Sequence, residues 1–252
     1  MSVTAAEIIL FASASMPQDD VSPSGGAIDL TTQIVPTSAS LFNALGGSFL
    51  DYVSSAAGDT TQSVTVTGRS AAGSIVTETK ALNGTTLVNG AVAFQSIEKI
   101  VLSAGVAGTL TVSKHTGGAT VGTLSGAGLT LRRLFYAAHA DAASGGAEVF
   151  YEKFFCKNTD ATNSLLSATL TETSDPSAVL DYAVALAVND SVSVANRKTA
   201  PPTIAFSSAA QTIPGTDLAA GAAIGIWARL TLAAGQAAAE YAWGIQMAGQ
   251  TT

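Results

Sequence analysis

The chain is built from short segments in which apolar residues alternate with hydroxyl-bearing residues. Residues 64–67 alternate valine with threonine, and residues 74–80 alternate again after a turn over residues 68–73. Asn83-Gly84 and Asn89-Gly90 are dipeptides typical of tight hairpin turns. A period of two places successive side chains on opposite faces of a strand, so these segments predict β-strands. Turns that recur about every 8–12 residues are typical of a sandwich or barrel.

The second half of the chain repeats this pattern. Residues 149–156 carry bulky side chains at successive positions, as in a strand from the middle of a sheet. Residues 180–188 alternate large apolar residues with alanine or aspartate, which favours a strand over a helix. Residues 224–232 and 241–247 alternate in the same way around a small-residue turn. We predict that these last two segments form an antiparallel hairpin that closes the second domain.

Changes in composition divide the chain into four parts. Ser, Gly, Pro and Asp are frequent near the start of the chain, which predicts an N-terminal extended arm over residues 1–27. We predict a β domain over residues 28–114, a linker or loop region over residues 115–147, and a second β domain, a sandwich, over residues 148–252. Residues 37–52 have room for one short helix. The predicted fold class is therefore all-β, with two sandwich or barrel-like domains.

The low content of charged residues narrows the class of partner. Charged residues make up 12% of the chain, against about 25% in a typical soluble domain. The formal net charge is −7, with no basic cluster, which argues against nucleic acid as the partner. Because the cores of subunit interfaces are poor in charge, the composition favours a subunit that neighbours partly cover. An ordinary secreted β protein is the alternative.

The sequence contains no segment that we expect to enter a membrane or direct secretion. Residues 8–12 form one short apolar run, with no Lys or Arg ahead of it, whereas a secretory signal has a basic start and a longer apolar stretch. Residues 180–188 are too few to cross a bilayer, which takes about 20 residues. We expect synthesis in a cytoplasm, and the single cysteine agrees with that.

No pattern of nucleophile and base specifies a reaction. Cys156 is a candidate nucleophile with His139 or His115 as its base, but it ends an apolar strand, where an inert buried thiol is the usual finding. His139, Asp141 and Ser144 bring the residue types of a catalytic triad within six positions. Triads are assembled from distant segments, so we interpret these residues as a polar loop. We therefore predict no catalytic residues and no enzyme activity.

Candidate binding residues are equally sparse. Asp19 and Asp20 offer oxygen ligands to a divalent cation, but they lack the spaced ligands of a calcium loop and are interpreted as a solvated arm. Residues 122–128 are glycine-rich without the Lys-Ser/Thr ending of a phosphate loop. Arg132 and Arg133 contact acidic groups on a partner or solvate a loop, and we favour the second.

The sequence gives equally little evidence for a metal site or a sugar-binding site. Two histidines and one cysteine are too few for a His/Cys metal centre, and we predict neither metal nor cofactor. Trp227, Tyr241 and Trp243 have the chemistry to stack on a sugar, but aromatic residues on alternating strands more often fill a core or a subunit contact.

Several short motifs resemble a known group of proteins. The order K-N-T, then N-R-x-T-A-P, then L-x-x-G followed by W-x-R is similar to β-sandwich structural proteins of tailed bacteriophage virions. Two hairpins of the first half also look like those of phage head or tail accessory proteins. The motifs lie in residues 155–159, 195–202, 218–221 and 224–230, and the hairpins in residues 65–73 and 82–85.

This resemblance implies a non-enzymatic virion protein that is assembled in the host cytoplasm. The leading hypothesis is a capsid decoration or cement protein on the outer head surface, a homo-oligomer with a trimer favoured, whose partners are the major capsid protein or neighbouring virion subunits. The arm would then add strands to a neighbour's sheet. The alternatives are a tail, connector or baseplate-associated protein, or a receptor- or glycan-binding module that uses Trp227 or Trp243.

Overall fold

Strands make up most of the described structure. The computed structural model describes residues 2–35, 42, 44–135, 146–235 and 243–251. The chain divides into two compact units, which we call unit 1 (Met1–Asp29 with Leu134–Thr252) and unit 2 (Leu30–Arg133). The all-β fold class is confirmed. Among the described residues, no helix is long and apolar enough to cross a membrane.

The strands are numbered in chain order, and a 3-10 turn at Ala5–Glu7 precedes the first of them. They are β1 (Ile8–Ser15), β2 (Ser24–Ile34), β3 (Leu50–Ser54), β4 (Ser63–Arg69), β5 (Ile75–Ala81), β6 (Val88–Asn89), β7 (Ser96–Leu102), β8 (Val106–Lys114), β9 (Thr120–Gly126), β10 (Thr130–Arg132), β11 (Glu148–Asn158), β12 (Leu165–Ser174), β13 (Leu180–Val188), β14 (Ser193–Val194), β15 (Gln211–Thr212), β16 (Ala223–Leu232) and β17 (Gly244–Thr251).

Unit 1 contains two sheets, with β11 near the centre of the larger one. The order in that sheet is β13-β16-β11-β1-β2, with β14 paired to the start of β2, and the smaller sheet has the order β15-β12-β17. Phe154 and Phe155 are adjacent in β11 and therefore point to opposite faces, yet both are buried. The prediction of a mid-sheet strand over residues 149–156 is confirmed, as is the strand over residues 180–188.

Unit 2 is a sandwich of two sheets around one apolar core. The end of β2 continues into the order β10-β7-β4-β5, while the second sheet has the order β6-β3-β8-β9. Val66 and Ile100 from the first sheet and Tyr52, Leu110 and Val112 from the second belong to the same buried cluster. The alternation in β4 places its valines in this core and its threonines on the outer face.

The structure differs from the predicted N-terminal arm. Residues 1–27 include β1, which pairs antiparallel with β11 and lies between β11 and β2. Phe11 and Ala12 are buried in unit 1. The Asp- and Pro-containing residues 16–23 form the connection to β2 and not a free arm.

The predicted domain boundaries are also corrected. The linker predicted over residues 115–147 contains β9, which pairs with β8, and β10, which pairs with β7 and β2. Its Gly and Thr residues were interpreted as a loose loop, but Gly117 and Gly118 have positive φ and form the turn between β8 and β9. The chain passes from unit 1 to unit 2 within β2 and returns to unit 1 after Arg133, so neither predicted domain matches a unit.

The predicted closing hairpin is wrong in its pairing. Residues 224–232 lie in β16 and residues 244–247 begin β17, but β16 pairs with β11 and β13, whereas β17 pairs with β12 in the smaller sheet. A period of two identifies a strand without specifying its partner. Among described residues 44–52, the expected short helix is absent and β3 begins at Leu50; residues 37–41 and 43 lie outside the described ranges.

Candidate functional site

Aspartates in two turns hold loop backbone in place. Asp59 accepts hydrogen bonds from the Ser54 hydroxyl (2.5 Å) and from the backbone N–H groups of Ala107 (2.9 Å) and Gly108 (3.1 Å). These donors lower the pKa of Asp59, with the Ser54 hydroxyl the largest cause. Asp59 therefore connects the loop after β3 to the start of β8.

Asp160 closes the turn between β11 and β12 in the same manner. Its Oδ1 accepts hydrogen bonds from the backbone N–H groups of Thr162 (2.7 Å) and Asn163 (2.8 Å), and its Oδ2 accepts one from the Asn163 amide (2.8 Å). Asn163, through its side chain first and then its backbone, contributes most to lowering the pKa of Asp160 to about 2. Both aspartates act as ionised turn anchors.

Glu78 is a buried carboxylate on the inner face of β5. It accepts hydrogen bonds from the Tyr52 hydroxyl (2.9 Å) and from the backbone N–H groups of Ala91 (2.6 Å) and Val92 (3.2 Å). Burial, followed by the hydrogen bond to Glu78, raises the pKa of the Tyr52 hydroxyl. Lys80 Nζ lies 3.6 Å from the same carboxylate. Glu78 thus connects β3, β5 and the segment after β6.

Unit 1 contains a fully buried lysine. The ammonium of Lys153 forms an ion pair with the Asp190 carboxylate and donates to the carbonyl oxygens of Gly26 (3.0 Å) and Val192 (3.1 Å). It also lies 4.9 Å from the Phe155 ring centroid and 5.7 Å from that of Trp227. Burial lowers the pKa of Lys153, and Asp190 opposes that shift. This cluster fastens the segment after β13 to the sheet.

The Arg132 and Arg133 pair has a different role from the predicted solvated loop. Arg132 is buried at the end of β10. Arg133 Nε lies 3.4 Å from Glu98 Oε2, and Arg69 Nε donates to Glu98 Oε1 at 2.8 Å. The buried carboxylate of Glu98 therefore attracts cations from two directions. The prediction failed because Glu98 is distant in sequence from both arginines that surround it.

Asp19 and Asp20 hold the connection between β1 and β2. Asp19 accepts hydrogen bonds from the backbone N–H groups of Val21 and Ser22, which lower its pKa. Asp20 accepts a 2.6 Å hydrogen bond from Arg197 and pairs with Lys198 at 2.9 Å. Within the described ranges, no group of three or more His, Cys, Asp or Glu residues is placed to hold a metal ion.

The candidate nucleophile is inaccessible in the fold. Cys156 is buried in β11, and burial raises the pKa of its thiol to about 12. His115 belongs to unit 2, where its Nδ1 lies 2.7 Å from the Asp51 carboxylate. The other candidate base, His139, lies outside the described residues with Asp141 and Ser144. Cys156 and His115 therefore belong to different units.

Both tryptophans proposed as sugar-stacking residues are buried. Trp227 lies beneath Gly25, where an added Cβ would come within 2.7 Å of the indole. Trp243 packs edge-on against Phe154 with a centroid distance of 6.2 Å, and its indole N–H donates to Glu172 at 2.9 Å. Tyr241 lies outside the described residues. Neither tryptophan offers an open face to a ligand.

The exposed apolar residues and the end strand of the unit 2 sheet were missed by sequence reasoning. Val21 is 83% exposed, Leu186 64% and Ile75 62%. Ile75 begins β5, which pairs only with β4 among the described strands. The alternation of residues 74–80 was visible in the sequence, but alternation does not tell an edge strand from an inner one. Residues 122–128, the glycine-rich candidate loop, lie in β9 and the turn that follows it.

Comparisons with known proteins place the chain in no family. No family model matches it, and no curated protein sequence matches it. A search of solved structures found a mutant VP2 protein of infectious bursal disease virus in derived T=1 particles, at 11% identity and a TM-score of 0.16. That similarity covers 98% of this chain, and the chain spans 65% of the VP2 chain's length. A TM-score of this size carries no argument about fold or function.

Proposed function

We propose that this chain is a non-enzymatic structural protein of a tailed bacteriophage virion that binds the outer surface of the head and stabilises it. The motifs in residues 155–159, 195–202 and 218–230 supply the phage context of this proposal. The structural support comes from how the chain uses its few charged groups. A subunit of this kind needs stable β units and a surface for neighbouring proteins, and it needs no reaction chemistry.

One observation carries the proposal: the described acidic groups are committed to holding loops and strand edges. Asp59 and Asp160 anchor turns, Glu78 and Glu98 join strands of unit 2, and Asp190 neutralises a buried lysine. Because charged residues make up only 12% of the chain, few charged groups beyond these are available for contacts with other proteins. Low charge together with exposed apolar side chains is the composition of protein–protein contact surfaces.

The exposed apolar residues occur in both units. A particle subunit makes contacts on several sides, since it must bind the shell beneath it and neighbours beside it. The large apolar residues at the described surface are Val21, Leu30, Phe49, Ile75, Leu87, Leu186 and Val192. These side chains are 43–83% exposed, so completing the burial of each against a partner would contribute about 0.6–2.5 kcal/mol, a proportional share of the value for full burial, before the costs of association.

The test is a cryo-electron reconstruction of the particle encoded with this chain, compared with particles from a strain that lacks its coding sequence. We expect difference density on the outer head surface that fits the two β units, with threefold clusters if the chain is a trimer. Heads without the chain should lose DNA at a lower temperature, and adding back purified protein should restore stability. Heads that are unchanged without the chain would contradict the proposal.

The same reconstruction distinguishes the alternatives. Difference density at the tail, connector or baseplate would reject the head assignment and favour a tail-associated protein. Complete absence from purified particles, checked by mass spectrometry of their proteins, would reject a virion role. The glycan-binding alternative receives no support from Trp227 or Trp243, because both rings are buried.

A further inference from the structure

β5 forms the end of the unit 2 sheet, and its outward backbone groups follow from its pairing with β4. Ser70 N–H donates to Ser74 O, and Leu82 N–H donates to Gln62 O. Hydrogen-bonded pairs alternate along an antiparallel ladder, so even-numbered residues of β5 bond to β4. The N–H and C=O groups of the odd-numbered residues Ile75, Thr77, Thr79 and Ala81 consequently point away from β4, where no other described strand pairs with them.

The backbone and the exposed face of this edge lack the devices that usually protect a strand from pairing, and its two charged residues, Glu78 and Lys80, lie on the inner face. β5 has no proline, no glycine and no register shift against β4. Its exposed face presents Ile75, Thr77, Thr79 and Ala81, all without charge. Natural edge strands are normally shortened, bulged or charged to prevent pairing with another chain. A regular seven-residue edge with an uncharged outer face is built to accept a further strand.

The inner face of β5 restricts which strand can be added. Glu78 is buried there, and Lys80 is half-buried beside it, with side-chain exposures of 4% and 27%. Lys80 Nζ lies 3.6 Å from Glu78 of its own chain. A partner strand with no acidic residue opposite Lys80 would bury this ammonium further without adding a counter-charge, which disfavours indiscriminate pairing. The best-matched partner presents an acidic residue opposite Lys80, and a basic residue opposite Glu78 would add to the pair that Glu78 already forms with Lys80 of its own chain. A second copy of β5, running antiparallel, contains both in the required order.

We propose that β5 pairs with β5 of a second copy of this chain, antiparallel and centred on Thr79. In this register Glu78 faces Lys80 of the second copy, and the twofold axis repeats that ion pair. Charge selects this register among the four near the strand centre. Centring on Glu78 or Lys80 sets like charges opposite each other, and centring on Thr77 leaves both charges unmatched.

The outer face of the pair also matches. Thr79 faces Thr79 of the second copy, and Thr77 faces Ala81, so the outer face of the new junction carries no charge. Within one chain, Thr79 Oγ1 already lies 2.9 Å from Thr65 Oγ1 on β4. The threonine row of β4 and β5 therefore continues into the second copy. Cross-strand threonine pairs contribute favourably to antiparallel ladders.

Cysteine cross-linking tests the register directly. Residues at a hydrogen-bonded pair lie about 5.5 Å apart between Cα atoms, within the range that a disulfide accepts. The purified full-length T79C variant should therefore form a disulfide-linked dimer under mild oxidation, reversed by a reducing agent. The native Cys156 is buried and leaves the wild type as a clean background. T67C, on the same face one strand inward, is the matched control and should stay monomeric.

The T77C variant distinguishes registers, because Thr77 faces Thr77 of the second copy only when the strand pair is centred on Thr77. Preferential cross-linking of T77C would overturn the proposed register, and equal cross-linking of T77C, T79C and T67C would show random collision and overturn the proposal. Absence of cross-linking in T79C, with unchanged circular dichroism and thermal unfolding, would also overturn it.

Equilibrium sedimentation tests the charge pairing without cysteine. We expect the wild type to dimerise reversibly and K80E to raise the dimer dissociation constant by about tenfold or more, since two attractive pairs become repulsive. K99E, on the inner strand β7, is the charge-matched control and should dimerise like the wild type. A wild type that stays monomeric up to its solubility limit, or a K80E variant that dimerises equally well, would contradict the proposal. These measurements use no virus particle, so they stand or fall separately from the proposed function.

Discussion

Lys153 and Asp190 form an ion pair in which the lysine side chain has no exposure to solvent and the aspartate side chain is 10% exposed. The remaining contacts of the ammonium are backbone carbonyl groups and two aromatic rings. Because the two partners differ in their access to water, removing the aspartate and removing the lysine should lower the free energy of unfolding by different amounts.

We expect Asp190→Ala to lower the free energy of unfolding by about 3–5 kcal/mol, since it leaves a buried ammonium without its counter-ion. Lys153→Met should cost clearly less, because the Asp190 carboxylate keeps some access to water and its hydrogen bond from Val192 N–H. Urea unfolding of both variants measures the difference. Equal costs would show that the pair acts only through packing.

Gly68 lies in β4 where a side chain has no room. An added Cβ would come within 2.8 Å of the Phe94 ring and closer still to the carbonyl oxygen of Ser96. Gly68→Ala should therefore destabilise unit 2 by about 1–3 kcal/mol through overpacking. Gly58→Ala is the matched control, because a Cβ added there would meet nothing within 4 Å and its φ is not in the left-handed region. The midpoint of thermal unfolding should be clearly lower for Gly68→Ala than for Gly58→Ala.

Phe11 tests whether β1 is an arm or an integral strand. Its side chain packs with Phe155 and Ala223 in a buried cluster of unit 1. We expect Phe11→Ala to cost about 3–5 kcal/mol, as for other large-to-small core substitutions. Deleting residues 1–15 should abolish the cooperative unfolding of unit 1. An unchanged unfolding midpoint in either variant would restore the interpretation of an arm.

Local alternation made the strands predictable, but it did not predict which strands pair with each other. The strands β4, β5 and β13 could be predicted from their period of two, and β11 from its run of bulky residues at successive positions. The place of β1 depends on β11, more than a hundred residues later in the chain, and no local pattern records that pairing. The same holds for Arg133 and Glu98 and for Lys153 and Asp190, whose roles arise only when distant segments meet.

One signal in the sequence was available and went unused. Lys153 directly precedes the apolar residues Phe154, Phe155 and Cys156 of β11, and a lysine buried inside a mid-sheet strand requires a counter-ion. Its partner, Asp190, follows β13, but the sequence offers several acidic residues and no means of choosing among them. The burial of Cys156, by contrast, was predictable from its position at the end of the same apolar run.

The thiol of Cys156 should be unreactive in the folded protein. Burial raises its pKa to about 12, so at pH 8 the thiolate needed for reaction is nearly absent. A colourimetric disulfide reagent should label no cysteine in native buffer and one per chain in concentrated guanidinium chloride. Cys156→Ser should cost about 1–3 kcal/mol, because it buries a hydroxyl among apolar groups. Rapid labelling of the native protein would contradict the buried position.

The contribution of Asp160 to stability should disappear in acid. Its pKa falls from 3.8 to about 2 on folding, mainly because Asn163 donates to the ionised carboxylate through its side chain and its backbone. A group whose folded pKa is depressed stabilises the fold above its unfolded pKa and loses that contribution as the pH falls through the folded value.

Asp160→Ala should therefore unfold more easily than the wild type at pH 7. The difference between the two proteins should narrow below pH 3.8 and be largely lost near pH 2. Ala71→Lys, in the exposed turn between β4 and β5, makes the same change in net charge without removing a carboxylate and is the control. A gap between Asp160→Ala and the wild type that stays constant from pH 7 to pH 2 would show that the Asp160 turn is held by its shape and not by its charge.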